Sequence, residues 1–364
     1  MRRLQPLVVT LIAFWAAGAV GQERTSRHAI LVANNAGSKT DGATLRFAHR
    51  DAEELRQTLV DLGGFAPGDV TVLLERAPED LTRAFEDVAA TVAKANSKSD
   101  STMFLFFYSG HADRDGLHLG EEVVSGKQLK ELVAGVPARV RVGIVDACNA
   151  GALVLTKGGT PAKPFLSGVE ELRGVKGTAF VMSSGASEKA QEALEFRHSV
   201  FTYWLLAGLR GAADYSADGW VTLAEVWDYV KSGTRLTSSR TGIPQRPTWE
   251  INLRGQDSVR LTDLNRADGS KAVLEFRGEG EYFIFKRGRN LVAEVSAQLP
   301  GHRLVLGPGD YLVRRLQTGE PLREATVTLT KGSTVALEPS RMEEIPYVNL
   351  AAKGRARSNW FRHG

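Results

Sequence analysis

Short apolar segments alternate with stretches of helical periodicity along the first 260 residues of the chain. The apolar segments predict strands at residues 28–34, 70–74, 102–108, 139–145 and 178–183. Between them, apolar side chains recur every three or four residues, which predicts helices over residues 48–62, 81–95, 200–209 and 223–230. This alternation indicates an α/β fold with an open, mainly parallel sheet flanked by helices.

The pattern changes after residue 263. Seven short strand-like runs, separated by Gly or Pro turns, lie at residues 273–276, 282–285, 291–295, 303–306, 311–314, 325–329 and 334–337. No helical period interrupts them, so a small all-β, sandwich-like domain is expected over residues 268–345. We expect this domain to contact a surface or a protein partner. A basic tail follows over residues 346–364.

The first 21 residues have the three-part pattern of a secretory signal peptide. Two arginines precede an apolar run, and small residues follow it, so cleavage is expected after Ala19 or Gly21. The alternative is an uncleaved membrane anchor, because residues 4–22 carry no charge and about 20 residues span a bilayer. Either interpretation predicts an exported protein, periplasmic or extracellular.

Charge and cysteine content exclude several classes of protein. The formal net charge is +4, but residues 1–21 contribute two positive charges and the tail four, which leaves −2 on the folded body. A body so close to neutral gives no electrostatic reason to expect a nucleic-acid partner. The single cysteine, Cys148, excludes an internal disulfide and a Cys-rich metal site. An unpaired cysteine in an exported chain calls for another explanation.

Two polar motifs follow buried strands. One is Tyr108-Ser109-Gly110-His111-Ala112, and the other is Asp146-Ala147-Cys148-Asn149-Ala150-Gly151. Because the carboxyl ends of parallel strands line the ligand crevice of an α/β sheet, His111 and Cys148 would face each other if their strands are neighbours. An imidazole activates a thiol and can then protonate a leaving amine. The Gly110 N–H, expected to be free, and the Cys148 N–H would form an oxyanion hole. The alternative is an inert packing cysteine and a structural histidine.

These motifs resemble those of the caspase-like cysteine peptidases, the group that includes caspases, metacaspases, gingipain and legumain. The resemblance covers roughly residues 28–263 and includes the run 47–52 (FAHRDA) at the start of the first helix. It is nearer to bacterial metacaspase-like members than to animal caspases. It implies a caspase-like catalytic domain over residues 27–263, a His111–Cys148 dyad and an oxyanion glycine at Gly110. The two dyad residues are only 37 positions apart, fewer than the roughly 50 typical of caspases.

The resemblance also implies which residues line the substrate-binding pocket. In metacaspases the acids that match Asp51 and Asp146 line the pocket for the residue before the scissile bond, and we place Ser109 beside them. An acidic pocket attracts Arg or Lys and repels Asp. The sequence therefore predicts cleavage after Arg or Lys. The alternative for Asp51 is a charge favoured at a helix N-terminus.

The stretch 156–177 follows the nucleophile and has no predicted element. In the family the equivalent linker is often processed. Four basic residues in it make self-cleavage plausible, namely Lys157, Lys163, Arg173 and Lys176.

A further motif matches the spacing of an EF-hand loop. Its candidate calcium ligands are Asp214, Ser216, Asp218, Trp220, Thr222 and Glu225, with Gly219 at the sixth position. The alternative is an Asp-Gly turn followed by a Thr222–Glu225 capping box. Calcium is the one candidate cofactor, and no cofactor is required for the predicted chemistry.

The function predicted from these patterns is that of an exported cysteine endopeptidase acting on polypeptides. One alternative is a non-catalytic caspase-fold interaction or sensor protein that acts through its β-domain. Another is a thiol hydrolase or transpeptidase of cell-wall material, which would share the dyad but not the acidic pocket.

Overall fold

The computed structural model describes residues 25–39, 41, 43–99, 101–154, 175–255, 258–267, 269–286 and 290–345. Within these ranges the first domain contains twelve strands: β1 Thr25–Ala33, β2 Val70–Leu74, β3 Ser101–Ser109, β4 Leu117–Leu119, β5 Glu122–Val124, β6 Val140–Asp146, β7 Lys176–Met182, β8 Glu192–Ala193, β9 His198–Ser199, β10 Trp220–Thr222, β11 Thr248–Arg254 and β12 Arg260–Asp263. The predicted signal peptide, most of the linker and the tail lie outside the described residues.

Six of these strands form the central sheet, in the order β11-β7-β6-β3-β1-β2. Five run parallel, and the edge strand β11 pairs antiparallel with β7. Every residue of β3 is buried, as expected for the central strand of a sheet that is covered on both faces. The predicted α/β class and mainly parallel sheet are therefore confirmed. Strand β11 was not predicted.

Six helices of the described residues surround the sheet: α1 Ala48–Asp61, α2 Pro78–Ala95, α3 Gly126–Gly135, α4 Ala150–Val154, α5 Val200–Ala207 and α6 Leu223–Thr241. Pro78 begins α2, where its missing N–H has no cost. Thr222 and Glu225 form a capping box at the start of α6. That helix continues eleven residues past its predicted end and stops at Gly242, whose φ of 74° favours glycine. None of these helices is long and apolar enough to span a membrane.

The C-terminal domain is a two-sheet β structure, as predicted. Its strands are β13 Ala272–Phe276, β14 Gly280–Lys286, β15 Asn290–Ala297, β16 His302–Leu306, β17 Gly309–Leu316, β18 Leu322–Leu329, β19 Thr334–Leu337 and β20 Glu343–Ile345. One sheet has the order β16-β13-β19, and the other has the order β15-β14-β17-β18-β20. Tyr282 and Ile284 alternate with half-buried residues along β14, which is the period of a strand with one buried face.

The two domains share a hydrophobic core. One continuous cluster of buried apolar side chains extends from β1 and α1 through α5 and α6 into both C-terminal sheets. Polar contacts join the same surfaces: His302 Nε2 lies 2.8 Å from the Gly211 carbonyl oxygen, and Tyr229 Oη donates to the Glu294 carbonyl oxygen over 2.7 Å. The β-domain therefore packs against the first domain as one body.

Candidate active site

The ends of β3 and β6 bring the two predicted catalytic residues to the same edge of the sheet. Ser109 pairs with Asp146 in the parallel register of these neighbouring strands. His111 follows Ser109 by two residues, and Cys148 follows Asp146 by two residues, so both leave the sheet at the same level. The Gly110 N–H donates to the Asp146 carbonyl oxygen over 3.2 Å and holds the two strand ends together.

Hydroxyl groups from the end of β7 hold the loop that carries Cys148. Ser183 Oγ accepts from the Ala147 N–H over 3.1 Å, and Ser184 Oγ donates to the Ala147 carbonyl oxygen over 2.8 Å. Asn149 takes a left-handed backbone with φ of 54°, and its N–H donates to the Glu188 carbonyl oxygen over 2.8 Å. Both serines are buried and fix the loop that carries Cys148.

The Cys148 thiol is free and half-buried. Its Sγ lies 4.0 Å from the Ala190 carbonyl oxygen. Burial raises the pKa of the thiol, and the negative charges of Asp146 and Asp41 add to this effect. The thiol is therefore protonated near neutral pH unless an imidazole accepts its proton.

The imidazole of His111 is packed against the loop that follows β1. Its Nδ1 lies 4.0 Å from Asp41 Oδ1, and its Nε2 is buried with no hydrogen-bond partner among the described residues. The Tyr108 hydroxyl donates to the His111 carbonyl oxygen over 2.6 Å, which fixes the backbone of this turn. Gly37, with φ of 65°, lies so close that a Cβ there would overlap the imidazole ring. His111 is thus held between two ordered loops.

Asp51 is fully buried and hydrogen-bonded. Its Oδ1 accepts from His198 Nδ1 over 2.6 Å, and its Oδ2 accepts from Ser109 Oγ and the Ser199 N–H, each over 3.3 Å. Burial raises the pKa of Asp51 to about 7 in spite of the hydrogen bond from His198. Ser109 thus supports Asp51 from within the core, and the Asp51 carboxylate is turned toward His198.

Asp146 is also buried, but only half of its carboxylate is satisfied. Oδ2 accepts from Thr202 Oγ1 over 2.7 Å and from Ser199 Oγ. Oδ1 is buried without a hydrogen-bond partner in the part of the chain that the structure describes. Burial raises the pKa of this carboxyl group, and the hydroxyl groups partly offset the effect. Ser199 bonds to both acids, so Asp51 and Asp146 belong to one polar cluster.

The comparison with known protein families bears on this arrangement. The family model described as the caspase domain matches residues 26–256, most of the chain. This chain belongs to the caspase-domain family. The family assignment supports a cysteine peptidase, whose substrates are polypeptides.

Solved structures resemble the caspase domain of this chain at low identity. Caspase-1 from Spodoptera frugiperda is 15% identical, with a TM-score of 0.43, and the match covers 65% of this chain and 89% of that one. A structure of pro-sf-caspase-1 is 13% identical, with a TM-score of 0.43 and coverage of 66% and 95%. No curated protein matches the chain.

One expectation for the caspase domain is wrong. The Gly110 N–H is not free, because it donates to the Asp146 carbonyl oxygen over 3.2 Å. The turn follows the strand so closely that its first amide continues the ladder between β3 and β6. The Cys148 N–H has no partner among the described residues. Of the two amides, that of Cys148 is therefore the one without an acceptor in the described part of the chain.

The EF-hand-like loop lies between α5 and α6, but its carboxylates bond to the loop itself. Asp214 accepts from the N–H groups of Asp218 and Gly219 over 3.2 and 3.0 Å, and Glu225 accepts from Thr222 Oγ1 over 2.8 Å. Among the described residues, no group of three or more His, Cys, Asp or Glu side chains is placed to hold a metal ion. The turn and the capping box are both formed. Calcium binding stays a prediction of the sequence alone.

Three residues that lie beside the predicted site residues were not predicted. His198 contacts Asp51, while Asp41 and His118 form a pair beside His111, with His118 Nδ1 2.8 Å from Asp41 Oδ2. One signal was present in the sequence: Asp51 lies four residues before Leu55 on the buried face of α1. A carboxylate on such a face requires a polar partner.

Proposed function

We propose that the protein is a cysteine endopeptidase in which Cys148 is the nucleophile and His111 the general base and acid. The observation that supports this most is the pairing of Ser109 with Asp146 at the ends of two adjacent strands. His111 and Cys148 each follow one of these residues by two positions. The thiol transfers its proton to the imidazole, and the sulfur attacks the peptide carbonyl. As the C–N bond breaks, the imidazolium protonates the amine, and water then hydrolyses the thioester.

The Cys148 N–H is the first oxyanion donor of the proposed site. The Gly110 N–H would become the second when its 3.2 Å bond to the Asp146 carbonyl oxygen is exchanged for one to the tetrahedral intermediate. That bond is at the long end of the range for amide hydrogen bonds. A donor of this kind raises kcat by a factor of about 10²–10³.

Asp146 is the residue that we propose binds the substrate side chain before the scissile bond. Its buried Oδ1 has no hydrogen-bond partner among the residues that the structure describes, and a guanidinium or ammonium group would supply one. The charge of Asp51 is already compensated by His198, so we assign Asp51 a supporting role in that pocket. An uncompensated carboxylate repels a substrate Asp, which supports cleavage after Arg or Lys.

Labelling with a peptidyl-Arg chloromethyl ketone tests the proposal. We expect one equivalent to alkylate Cys148, with labelling abolished in Cys148→Ala and slowed at least 100-fold in His111→Ala. His49→Ala is the matched control, since His49 is half-exposed and bonds to Glu75. Equal labelling of wild type and His111→Ala would indicate a passive thiol. Labelling without turnover of any peptide would favour the non-catalytic interaction protein.

Export and self-processing are also proposed, and they concern residues outside the described ranges, except for Lys176, which begins β7. Removal of the N-terminal segment would leave a chain that begins at Val20 or Gln22. Cleavage after Lys157, Lys163, Arg173 or Lys176 would divide the purified chain into two fragments. The intact masses of wild type and Cys148→Ala test both removal of the N-terminal segment and self-processing. Masses of the two proteins that differ only by the substituted residue would refute self-processing, and a retained Met1 would refute signal cleavage.

A further inference from the structure

Asp41 is a carboxylate at the proposed active site to which neither the sequence motifs nor the mechanism above gives a role. It lies in the loop after β1, and its side chain is only 11% exposed. Its Oδ2 accepts from the Ser38 N–H and Ser38 Oγ over 2.5 and 2.9 Å, and from His118 Nδ1 over 2.8 Å. Its Oδ1 faces His111 Nδ1 at 4.0 Å. One oxygen is therefore fixed by three donors while the other is directed at the imidazole.

The same contacts keep Asp41 ionised. Burial raises the pKa of its carboxyl group, but the hydrogen bonds from His118 and Ser38 outweigh burial, and the net pKa is below its ordinary value. His118 is itself enclosed, and its second ring nitrogen lies 3.3 Å from Asp113 Oδ2. The negative charge beside His111 is thus held in place by neighbours that are also fixed.

We propose that Asp41 is a positioning residue: it orients His111 and stabilises the imidazolium that forms when Cys148 gives up its proton. This inference rests on the proposed function of the Cys148–His111 pair. A distance of 4.0 Å is longer than a hydrogen bond, but catalytic contacts are often long in the free enzyme and shorten when substrate binds. Nδ1 facing Asp41 would leave Nε2, which has no partner among the described residues, to exchange the proton.

Asp41 acts on the thiol with the opposite sign. Its charge contributes to the raised pKa of Cys148, where it is the smallest of five causes, so it disfavours the thiolate. Its effect on His111 is exerted across 4.0 Å and favours the imidazolium. Because Asp41 Oδ1 faces the imidazole directly, we expect the effect on His111 to dominate. When His111 is replaced, only the effect of Asp41 on the Cys148 thiolate remains.

A double-mutant cycle on thiol reactivity tests the proposal without a peptide substrate. The rate of Cys148 alkylation by iodoacetamide is measured between pH 5 and 9 for wild type, Asp41→Asn, His111→Ala and the double variant. We expect Asp41→Asn alone to slow alkylation near pH 7 about tenfold, because the imidazolium that forms as Cys148 gives up its proton then lacks the carboxylate that faces Nδ1 at 4.0 Å. In the His111→Ala background the same substitution should leave the rate unchanged or raise it, since only repulsion of the thiolate is then lost.

Glu121→Gln is the matched control, because Glu121 accepts from the Lys39 N–H of the same loop without contacting His111. It should change the rate less than twofold. Equal slowing by Asp41→Asn in both backgrounds, or no slowing in either, would overturn the proposal. Melting temperatures identify a variant that merely fails to fold, and Asp41→Glu, which keeps the charge, should recover part of the rate. Failure of wild type to cleave peptides would refute the proposed function, while these rates would still report on Asp41.

Discussion

Asp51 accepts a hydrogen bond from His198 over 2.6 Å, and both side chains are buried. His198 Nε2 in turn lies 3.5 Å from Glu54 Oε1, so one imidazole lies between two carboxylates. Burial alone would lower the pKa of His198, but the hydrogen bonds to Asp51 and Glu54 outweigh it, and the net pKa is raised. A proton shared within this group is retained more strongly in the folded protein than in the unfolded chain.

This retention predicts how stability depends on pH. Asp51 has a pKa of about 7 in the folded protein, above its ordinary 3.8, and that of His198 is above 6.5. Both shifts make the folded state bind more protons than the unfolded chain, so the stability contributed by these two groups is full below about pH 4 and is lost as pH rises through these values. We expect the free energy of unfolding to fall by about 1 kcal/mol or more between pH 6 and 8. Urea denaturation at several pH values measures it.

Asp51→Asn should flatten that dependence, because it removes one titrating group and the partner that raises the pKa of the other. The exposed residue Glu53 on the same helix provides the control Glu53→Gln, which should keep the wild-type slope. Identical slopes for Asp51→Asn and wild type between pH 6 and 8 would show that another group is responsible.

The proposed pocket predicts a difference between its two acids. Asp146→Asn should reduce kcat/KM for a peptide with Arg before the scissile bond by roughly 100-fold, since a desolvated charge pair is lost. Asp51→Asn should reduce it less than tenfold, because His198 already compensates that charge. Fluorogenic peptides that differ only in Arg, Lys or Asp at this position provide the measurement. A wild-type preference for the Asp peptide would refute the assignment.

Gly37 is predicted to be required for the alignment of His111. An alanine there would have φ near 65°, its Cβ would overlap the imidazole, and it would lie 2.6 Å from Asp41 Oδ2. We expect Gly37→Ala to lower kcat at least tenfold. Gly120→Ala is the control, because Gly120 has φ of 68° but open space around it. Similar kcat values for the two variants would show that backbone strain, and not displacement of His111, decides the outcome.

Gly211 is predicted to be critical for the joint between the two domains. Its φ is 117°, and a Cβ there would overlap the Arg303 carbonyl group of β16. We expect Gly211→Ala to destabilise the protein by roughly 3 kcal/mol, against about 1 kcal/mol for Gly242→Ala, where φ is 74° and space is open. Denaturant unfolding compares the two. A second, separate unfolding transition in wild type would contradict a shared core.

The sequence predicted the strands of the central sheet because buried strands are continuous apolar runs, as in β3. Strand β11 was not predicted because it is no continuous apolar run, although Trp249, Ile251 and Leu253 alternate with polar residues as in a half-buried strand. The end of α6 was missed because its last turns are rich in Ser and Thr, which mask the helical period. Helix extent there depends on tertiary packing, which local composition does not show.

The candidate site was predictable only where its residues adjoin a motif. His111 and Cys148 follow strands, and their relative position depends on which strands are neighbours. Asp41 and His118 are 77 positions apart, and Asp51 and His198 are 147 apart. No spacing rule connects residues so distant in the chain, so only the folded structure could identify these pairs. The prediction of a free Gly110 amide was wrong because the ladder between β3 and β6 continues one residue further than the apolar run.

The shared core affects how damage to this chain would be observed. Phe276 and Tyr282 of the β-domain belong to the same buried cluster as the residues of α1 and α5. Replacing either would lower the fraction of folded molecules without altering the chemistry of those that remain. A genetic screen that scores turnover alone would therefore group such positions with Cys148. Active-site titration counts the competent molecules. It would therefore distinguish a core variant, which folds less often, from a variant that has lost its nucleophile.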